Sequence, residues 1–463
     1  MEEIGWKVDS SARTAYFIAE NFDLSHEEQK LYSALINELK ENAQKDAKSS
    51  NNSAGQCHEL LKRICDRKHM MLRMDRARVL EKIACMNIAG FGVFDLLLAD
   101  DSLEEIAATG LNRSIRVYSR GKGWLESNCT VTSKEFAANT INKMARALGR
   151  RITYRSPLLN AQLPDGSRLH ATVSPVNGNE FEITIRKFSK SPLCILDLVK
   201  NRTINADGAA FLWLAAFADI SILIAGNTGS GKTTLLNALF SFVPLDERII
   251  VAEETPEISI LHKHRVNLVS NEPLGISMAD LVQNSLRMRP DRVIIGEVRT
   301  PGEVSALFES LRAGQAKGSF ATFHAQNSRE VVSRLGGFGI NPQDLGAVDI
   351  IVVLRRISIY DPKRKQKAEI RRVTEISEIS ESGKPNILFE YNAGPDALEM
   401  DENALGKSKI LGKIGGNYKM DRNELLNELE KRKKMLERMD FGGNNADYAK
   451  FTELIQNEMF GWK

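Results

Sequence analysis

The middle of this chain alternates short apolar runs with helix-length segments. The apolar runs cover residues 221–225, 248–252, 292–296, 318–323 and 348–354. Several of them are continuous and rich in β-branched residues, which is typical of strands that are covered on both faces. The pattern therefore predicts an α/β core domain over residues 206–360, with a largely parallel sheet between layers of helices.

The N-terminal part predicts helices. Ser25 followed three residues later by Glu28 is typical of a helix start. Residues 43–56 are polar and indicate an exposed linker, and a second helical stretch is predicted over 57–88. We interpret residues 1–89 as a helical extension. Two readings of it stay open: a module that binds a partner, or an exposed cover for the domain behind it.

Residues 90–187 predict one small α+β domain. A strand is expected at 115–118, a helix from 133 to about 148, and two further strands at 169–173 and 182–185. The dipeptide Asn177-Gly178 between the last two runs is a strong hairpin signal. Residues 188–205 are interpreted as a linker to the core domain.

The C-terminal part, residues 361–463, is more charged. Two strand-like pieces, 351–360 and 370–379, flank a basic run. That run contains Lys363, Arg364, Lys365 and Lys367. A solvated hairpin tip is the favoured interpretation of it, ahead of a nucleic-acid contact. A helix is predicted from Asp421 to Gly442-Gly443, and a last one over 446–459.

Composition narrows the class of protein. The formal net charge of +3 in 463 residues gives no electrostatic indication of nucleic-acid binding. No apolar stretch approaches the ~20 residues of a membrane-spanning helix, and the first residues do not resemble a signal peptide. A cytoplasmic protein is therefore expected.

The cysteines and histidines give no pattern typical of a metal site. The five cysteines are widely spaced and include no C-x-x-C pair, which argues against a zinc site and a disulfide framework. His262 and His264 are two residues apart and are expected on one face of a strand, where we regard a metal site as improbable.

The segment from residue 226 to 234 carries the clearest chemistry. It consists of Gly226, Asn227, Thr228, Gly229, Ser230, Gly231, Lys232, Thr233 and Thr234. This sequence fits the phosphate-loop pattern, and it lies between a predicted strand and a predicted helix, as that motif requires. Backbone N–H groups and the helix N-terminus would hold phosphates. Lys232 would reach the β- and γ-phosphates, and Thr233 would bind Mg²⁺. The alternative is a glycine-rich turn that precedes a lysine by chance.

Other polar residues follow the remaining strands of the core. Glu297 follows run 292–296, and Glu253, Glu254 and Glu257 follow run 248–252. His324 follows run 318–323. The carboxyl edge of a parallel sheet is where α/β proteins bind ligands. Glu297 is therefore a candidate for water-mediated contact with Mg²⁺, and one of the other acids for a general base. The alternatives are an acidic surface loop and a structural histidine.

Four motifs in this order resemble the type II/type IV secretion and pilus-assembly ATPase family. They span residues 226–233, 248–257, 289–299 and 318–325. In that family they are the Walker A motif, the Asp box, the Walker B motif and the His box. Residues 163–168, 184–188 and 192–198 resemble the family's N-terminal domain and linker.

The resemblance implies a RecA-like P-loop ATPase core and a smaller α+β domain that close on ATP, in a hexameric ring. It implies that Glu253 and Glu257 are the Asp-box acids, with Glu257 as the general base. It implies that Glu253 and Glu297 contact Mg²⁺ through water, and that His324 is the His-box residue. Arg168 and Arg186 would clamp the β- and γ-phosphates. Arg289 and Arg299 would stabilise the core or a subunit contact.

The chain departs from the family at several places. Glu254 and Asn160 stand where many members carry aspartate, and the four-cysteine zinc element of bacterial assembly ATPases is absent. The Glu-Thr-Pro-Glu form of residues 254–257 and the missing zinc element resemble archaeal members, and ring ATPases of type IV secretion and Tad-type pili.

The sequence therefore predicts an Mg-dependent ATPase motor at the inner face of the membrane. Its expected partners are further copies of itself and a polytopic membrane platform protein, with no specific nucleic acid and no zinc. Pilus assembly, an archaellum-like filament and secretion stay open as its task. Two rivals are a nucleic-acid-stimulated RecA-like translocase and a nucleotide-gated scaffold without turnover.

Overall fold

The structure is a computed structural model. It describes residues 4–45, 53–119, 122–146, 150–178, 180–188, 192–271, 274–314, 316–361, 366–380, 382–439 and 447–460. The chain divides into two compact units, Met1–Ser189 and Lys190–Lys463. Each unit has its own sheet, and among the described residues the N-terminal unit has one hydrophobic core and the C-terminal unit has two. This division does not follow the five segments predicted from the sequence, which stay a prediction.

The N-terminal unit has a seven-stranded sheet in the order β1-β4-β3-β2-β7-β6-β5. Its strands are β1 (Trp6–Val8), β2 (Leu103–Thr109), β3 (Ser114–Ser119), β4 (Gly123–Val131), β5 (Leu158–Gln162), β6 (Arg168–Val173) and β7 (Phe181–Arg186). Its helices are α1 (His26–Lys45), α2 (Ser53–Lys68), α3 (Met74–Ile88), α4 (Val93–Leu98) and α5 (Lys134–Ala145). All pairings in this sheet are antiparallel.

The predicted helical extension differs from the structure in two ways. The stretch 57–88 is two helices, because the chain turns at His69, which has a φ of +53°. The extension is also not a separate layer: Leu35 of α1 and Ile83 of α3 belong to the same core as Ile106 of β2. Half of the predicted linker, residues 46–52, lies outside the described residues.

The C-terminal unit has a nine-stranded sheet in the order β10-β9-β11-β12-β8-β13-β14-β15-β16. Its strands are β8 (Ile222–Gly226), β9 (Ile249–Glu253), β10 (Arg265–Val269), β11 (Arg292–Val298), β12 (Gly318–Phe323), β13 (Ile350–Asp361), β14 (Gln366–Ile379), β15 (Pro385–Asn392) and β16 (Ala397–Met400). The first six of these strands in sheet order are parallel, as predicted, and the last three are added by antiparallel pairing.

Ten helices of the C-terminal unit lie within the described residues. They are α6 (Ile195–Lys200), α7 (Ala206–Phe217), α8 (Lys232–Leu239), α9 (Met278–Ser285), α10 (Pro301–Ala313), α11 (Ser328–Gly337), α12 (Glu402–Gly406), α13 (Lys409–Tyr418), α14 (Arg422–Arg438) and α15 (Tyr448–Phe460). Helix α14 starts after Asp421, as predicted, and Asp421 and Glu424 form a capping box there. Its predicted end at Gly442-Gly443 and most of the basic hairpin tip, residues 362–365, lie outside the described residues.

The strand order places the phosphate loop. Strand β8 lies between β12 and β13, and the loop leaves its carboxyl end directly into α8. The five strands that follow the predicted apolar runs are adjacent in the order β13-β8-β12-β11-β9. Because neighbouring strands in this set are parallel, their carboxyl ends and the polar residues that follow them share one edge of the sheet.

Candidate active site

The phosphate loop has the backbone that its glycines permit. Gly229 and Gly231 have φ values of +72° and +99°, which side-chain-bearing residues rarely adopt. A Cβ on Gly226 would lie 2.3 Å from the carbonyl oxygen of Leu354. Lys232 is buried, and its Nζ donates to the carbonyl oxygens of Gly226 at 3.1 Å and Asn227 at 3.4 Å. The loop is therefore a close-packed turn that positions the lysine at its mouth.

Two arginines of the β13–β14 hairpin hold this loop from outside. Nε of Arg371 donates to the carbonyl oxygen of Gly229 at 2.9 Å. The backbone N–H of Arg356 donates to the side-chain oxygen of Asn227 at 3.2 Å. Sequence reasoning missed both arginines. Their only signal was the length of the hairpin, which does not show where it packs.

The acidic segment after β9 reaches the start of α8. The hydroxyl of Thr233 donates to a carboxylate oxygen of Glu257 at 3.1 Å. Glu253 is buried, and its Oε1 accepts the backbone N–H groups of Glu257 at 2.7 Å and Ile258 at 2.9 Å. Glu253 therefore fixes the loop that carries Glu257. Glu254 points elsewhere and pairs with Arg299 at 2.7 Å.

The Glu297 carboxylate is surrounded by the side chains of Lys232, His324 and Arg299. One carboxylate oxygen lies 3.9 Å from Nζ of Lys232 and contacts Nε2 of His324. The other accepts Nε of Arg299 at 2.9 Å. Burial and the positive charge of Lys232 lower the pKa of His324 below its usual range, although Glu297 opposes that shift. His324 is therefore neutral near pH 7, and its Nε2 contacts the Glu297 carboxylate.

The two predicted arginines of the N-terminal unit are brought together there. Arg168 on β6 and Arg186 on β7 are directly paired in the antiparallel register. Directly opposed residues project from the same face of a sheet. On its other side Arg186 is paired with Glu105 of β2.

Three other polar residues named in the sequence analysis are Arg289, His262 and His264. Arg289 is exposed and has a φ of +51°. The expectation that His262 and His264 share one face of a strand is wrong: β10 begins only at Arg265, and His262 is buried whereas His264 is exposed. The reason is that Ile260 and His262 turn into the core before the strand starts.

A family model for Type II/IV secretion system proteins matches residues 129–392 of this chain. The chain belongs to this family. The match includes the whole phosphate loop and all of strands β8 to β15. Together with the strand order around β8, family membership confirms the predicted α/β fold with a RecA-like core.

Relatives of this secretion family occur in archaea and bacteria. An uncharacterized protein of Methanocaldococcus jannaschii is 41% identical over 246 residues, which cover 51% of this chain and 34% of that protein. The type IV secretion system protein VirB11 of Bartonella henselae is 27% identical over 333 residues, covering 58% of this chain and 91% of VirB11. The X-ray structure of the Legionella pneumophila ATPase DotB is 18% identical, with a TM-score of 0.44, and covers 77% of this chain and 92% of DotB.

The chain therefore spans about a third of the length of the Methanocaldococcus relative and most of the length of VirB11. Among the described residues of this family member, no helix is both long enough and apolar enough to cross a membrane.

Several side-chain oxygen atoms near Thr233 could hold a magnesium ion. The Thr233 hydroxyl contacts the Glu257 carboxylate, and the Glu297 carboxylate lies 3.9 Å from Nζ of Lys232. Hydroxyl and carboxylate oxygens together with phosphate oxygens are the ligands that Mg²⁺ prefers. Thr233 would hold the ion directly, and Glu297 and Glu253 would hold it through water. A bound Mg²⁺ would neutralise charge on the β- and γ-phosphates.

Proposed function

We propose that this secretion-family chain is an ATPase that works as a ring motor. The observation that carries the proposal is the convergence of Glu257 on Thr233 and of Glu297 on Lys232, at the mouth of one phosphate loop. Phosphoryl transfer requires little covalent chemistry from the protein. It requires held phosphates, an oriented water and positive charge on the transferred group, and these residues are of the types that supply them.

Each residue has a role in the proposed reaction. The loop N–H groups and Lys232 bind the phosphates, and Glu257 takes a proton from the attacking water. His324, neutral and in contact with Glu297, responds to the charge at that carboxylate. Arg168 and Arg186 supply positive charge to the β- and γ-phosphates when the N-terminal unit closes on bound ATP.

The wider assignment rests on the family. We propose a homohexamer at the cytoplasmic face of the membrane that moves a polytopic platform protein. Its task is assembly of a type IV pilus or archaellum-like filament, or type II or type IV secretion. Binding of nucleic acid is not part of this proposal, because the chain has a formal net charge of only +3.

The test is phosphate release by the purified full chain with Mg-ATP, with ATP and a chelator, and with added DNA. Lys232→Ala is expected to lower turnover by at least about 100-fold, because it removes charge from the transferred phosphate. Glu297→Gln is expected to bind ATP and turn over poorly. Lys263→Ala is the control, since Lys263 is an exposed lysine of the same unit.

Light scattering on the same samples measures the mass of the assembly. A mass near six copies that appears with Mg-ATP would support the ring. Unchanged turnover in Lys232→Ala would reject the ATPase assignment, and a monomer stimulated by DNA would favour the translocase.

A further inference from the structure

The N-terminal unit contains a cavity of about 850 Å³. It lies between the segment before β1, helices α1 and α5, and the end of α3. Volumes in this range are typical of small-molecule sites. Part of its wall is apolar and comes from Ile4, Ile36, Ile88 and Phe136. The cavity is therefore large enough for a small organic molecule and offers it an apolar side.

One wall of the cavity is held in place by Asn87. Its side-chain oxygen accepts the indole N–H of Trp6 at 2.7 Å. Its side-chain nitrogen donates to the carbonyl oxygen of Ile4 at 2.9 Å and to the hydroxyl of Tyr32 at 2.8 Å. The Asn87 side chain therefore links α3 to α1 and to the segment that contains β1. These hydrogen bonds give the cavity a defined shape.

The charged residues that line the cavity are mostly basic. They are five cations and one carboxylate: Lys40, Lys143, Arg146, Arg150, Arg151 and Glu135. Within the described part of the chain, Lys40, Arg146 and Arg151 have no ion-pair partner, and Arg150 donates only to the carbonyl oxygen of Asn160, at 2.9 Å. Four of the five cations, all but Lys143, are exposed, so water and salt screen part of the repulsion between them. An anion in the cavity would reduce the rest.

Lys143 is the cation that lies deepest in this wall. Its ammonium donates to the backbone carbonyl oxygens of Asn87 and Gly90, and none of the described carboxylates lies within ion-pair distance of it. Burial lowers the pKa of Lys143, Lys40 lowers it further, and Asp95 opposes both. The half-buried charge therefore has neutral acceptors but no close counter-charge, and a bound anion would provide one.

We propose that this cavity binds a small anionic phosphate compound. Guanidinium and ammonium groups are the side chains that recognise phosphate oxygens. The apolar part of the ligand would lie against Ile36, Ile88 and Phe136. The site lies within the N-terminal unit and does not depend on the proposed ATPase activity. A soluble metabolite and an anionic lipid headgroup share this chemistry.

The test compares two double variants of the full chain. Lys40→Gln/Arg146→Gln removes two cavity cations from α1 and from the end of α5. Lys30→Gln/Lys134→Gln removes the same charge from exposed positions on the same two helices, outside the cavity. Both are made in a Lys232→Ala background and measured with a chelator, so that the phosphate loop does not compete.

The soluble probe is pyrophosphate, titrated by calorimetry. The lipid probe is flotation with phosphatidylglycerol or phosphatidylcholine vesicles.

The cavity variant is expected to weaken pyrophosphate binding at least about tenfold, since it removes two charge-assisted contacts, and the control to change it little. That result supports the site and a soluble ligand. Flotation with phosphatidylglycerol alone, lost only in the cavity variant, supports the site with a headgroup as the source. The proposal is overturned if neither probe binds, or if both double variants behave alike. Circular dichroism of each variant checks that it is folded.

Discussion

At the residue scale, three carboxylates at the end of β9 and just after it have three different roles, because their surroundings differ. Glu253 is buried under two backbone N–H groups, Glu257 contacts Thr233, and Glu254 pairs with Arg299. They lie within five positions of one another and are chemically identical. Only their contacts distinguish a positioning residue from a candidate base and from a residue that forms a surface ion pair.

Replacing Glu257 with glutamine tests this separation. Glu257→Gln keeps the size of the side chain and removes its basicity, so turnover is expected to fall by about 10²- to 10⁴-fold. ATP binding, measured with a fluorescent analogue, is expected to remain. Glu254→Gln is the matched control and should keep most of the activity. Equal losses in the two variants would refute the assignment of the base.

The burial of the His262 imidazole leads to a second prediction at this scale. His262 is buried, and its ring lies against that of Phe240 with 5.7 Å between the ring centroids. Burial lowers its pKa from 6.5 to about 4. The unfolded chain therefore takes up a proton that the folded chain does not, and stability is lost as the pH falls from 6.5 toward 4.

His262→Phe should remove this loss. Relative to pH 7.5, the variant is expected to keep about 2 kcal/mol more stability than the parent at pH 4.5. Urea unfolding at the two pH values measures this. His264→Phe changes an exposed histidine in the same segment and should follow the parent. A variant that loses stability with acid as steeply as the parent would show that His262 is not the group responsible.

At the element scale, the β13–β14 hairpin is part of the phosphate-loop environment. Arg356 and Arg371 are paired in its register, and Arg355 is paired with Arg372. Because successive residues point to opposite faces, the first pair faces the loop. The second faces away, where Arg372 binds Asp396 at 2.8 Å. One face of the hairpin thus supports the loop and the other supports β15 and β16.

Arg371→Ala is expected to raise the KM for ATP by about tenfold, because the loop loses a hydrogen bond from a charged donor. Steady-state kinetics measure this, and Arg371→Lys should restore part of the loss. Arg355→Ala, on the opposite face of the neighbouring strand, is the control. A similar rise in KM in the control would mean that the effect arises from the hairpin as a whole.

At the scale of the whole C-terminal unit, Arg292 ties distant segments together. It is fully buried; its Nε binds Glu247 at 2.8 Å and its two other nitrogens donate to the carbonyl oxygens of Ala218 and Phe217. It therefore joins β11 to the end of α7 and to the approach to β9. Removing Arg292 would take away the buried partner of Glu247 and leave that carboxylate with only the partly exposed Lys317, at 3.1 Å, among the described cations.

Arg292→Met is expected to cost about 3–5 kcal/mol, and to lower the Tm of this unit by roughly 6–15 °C in calorimetry. Arg312→Met is the control. It breaks the pair with Asp344, whose N–O distance is 3.4 Å and whose side chains are 54% and 30% exposed, so its cost should stay below about 1 kcal/mol. Comparable Tm shifts in both variants would contradict the role given to Arg292.

The sequence by itself determined the parallel core, the phosphate loop and the acids that follow the strands. These are local properties: buried strands need apolar runs, a tight loop needs glycine, and a helix start needs a capping residue. Each can be recognised in a few consecutive residues, such as Gly226–Lys232 or Ser25–Glu28.

Only the tertiary structure decided which residues meet. The pairing of Arg168 with Arg186, the support of the loop by Arg371 and the burial of His262 depend on contacts between segments far apart in the chain. So does the cavity between α1, α3 and α5. The physical reason is that a side chain's charge state and partners follow from packing and desolvation, which the spacing of residues along one segment does not specify.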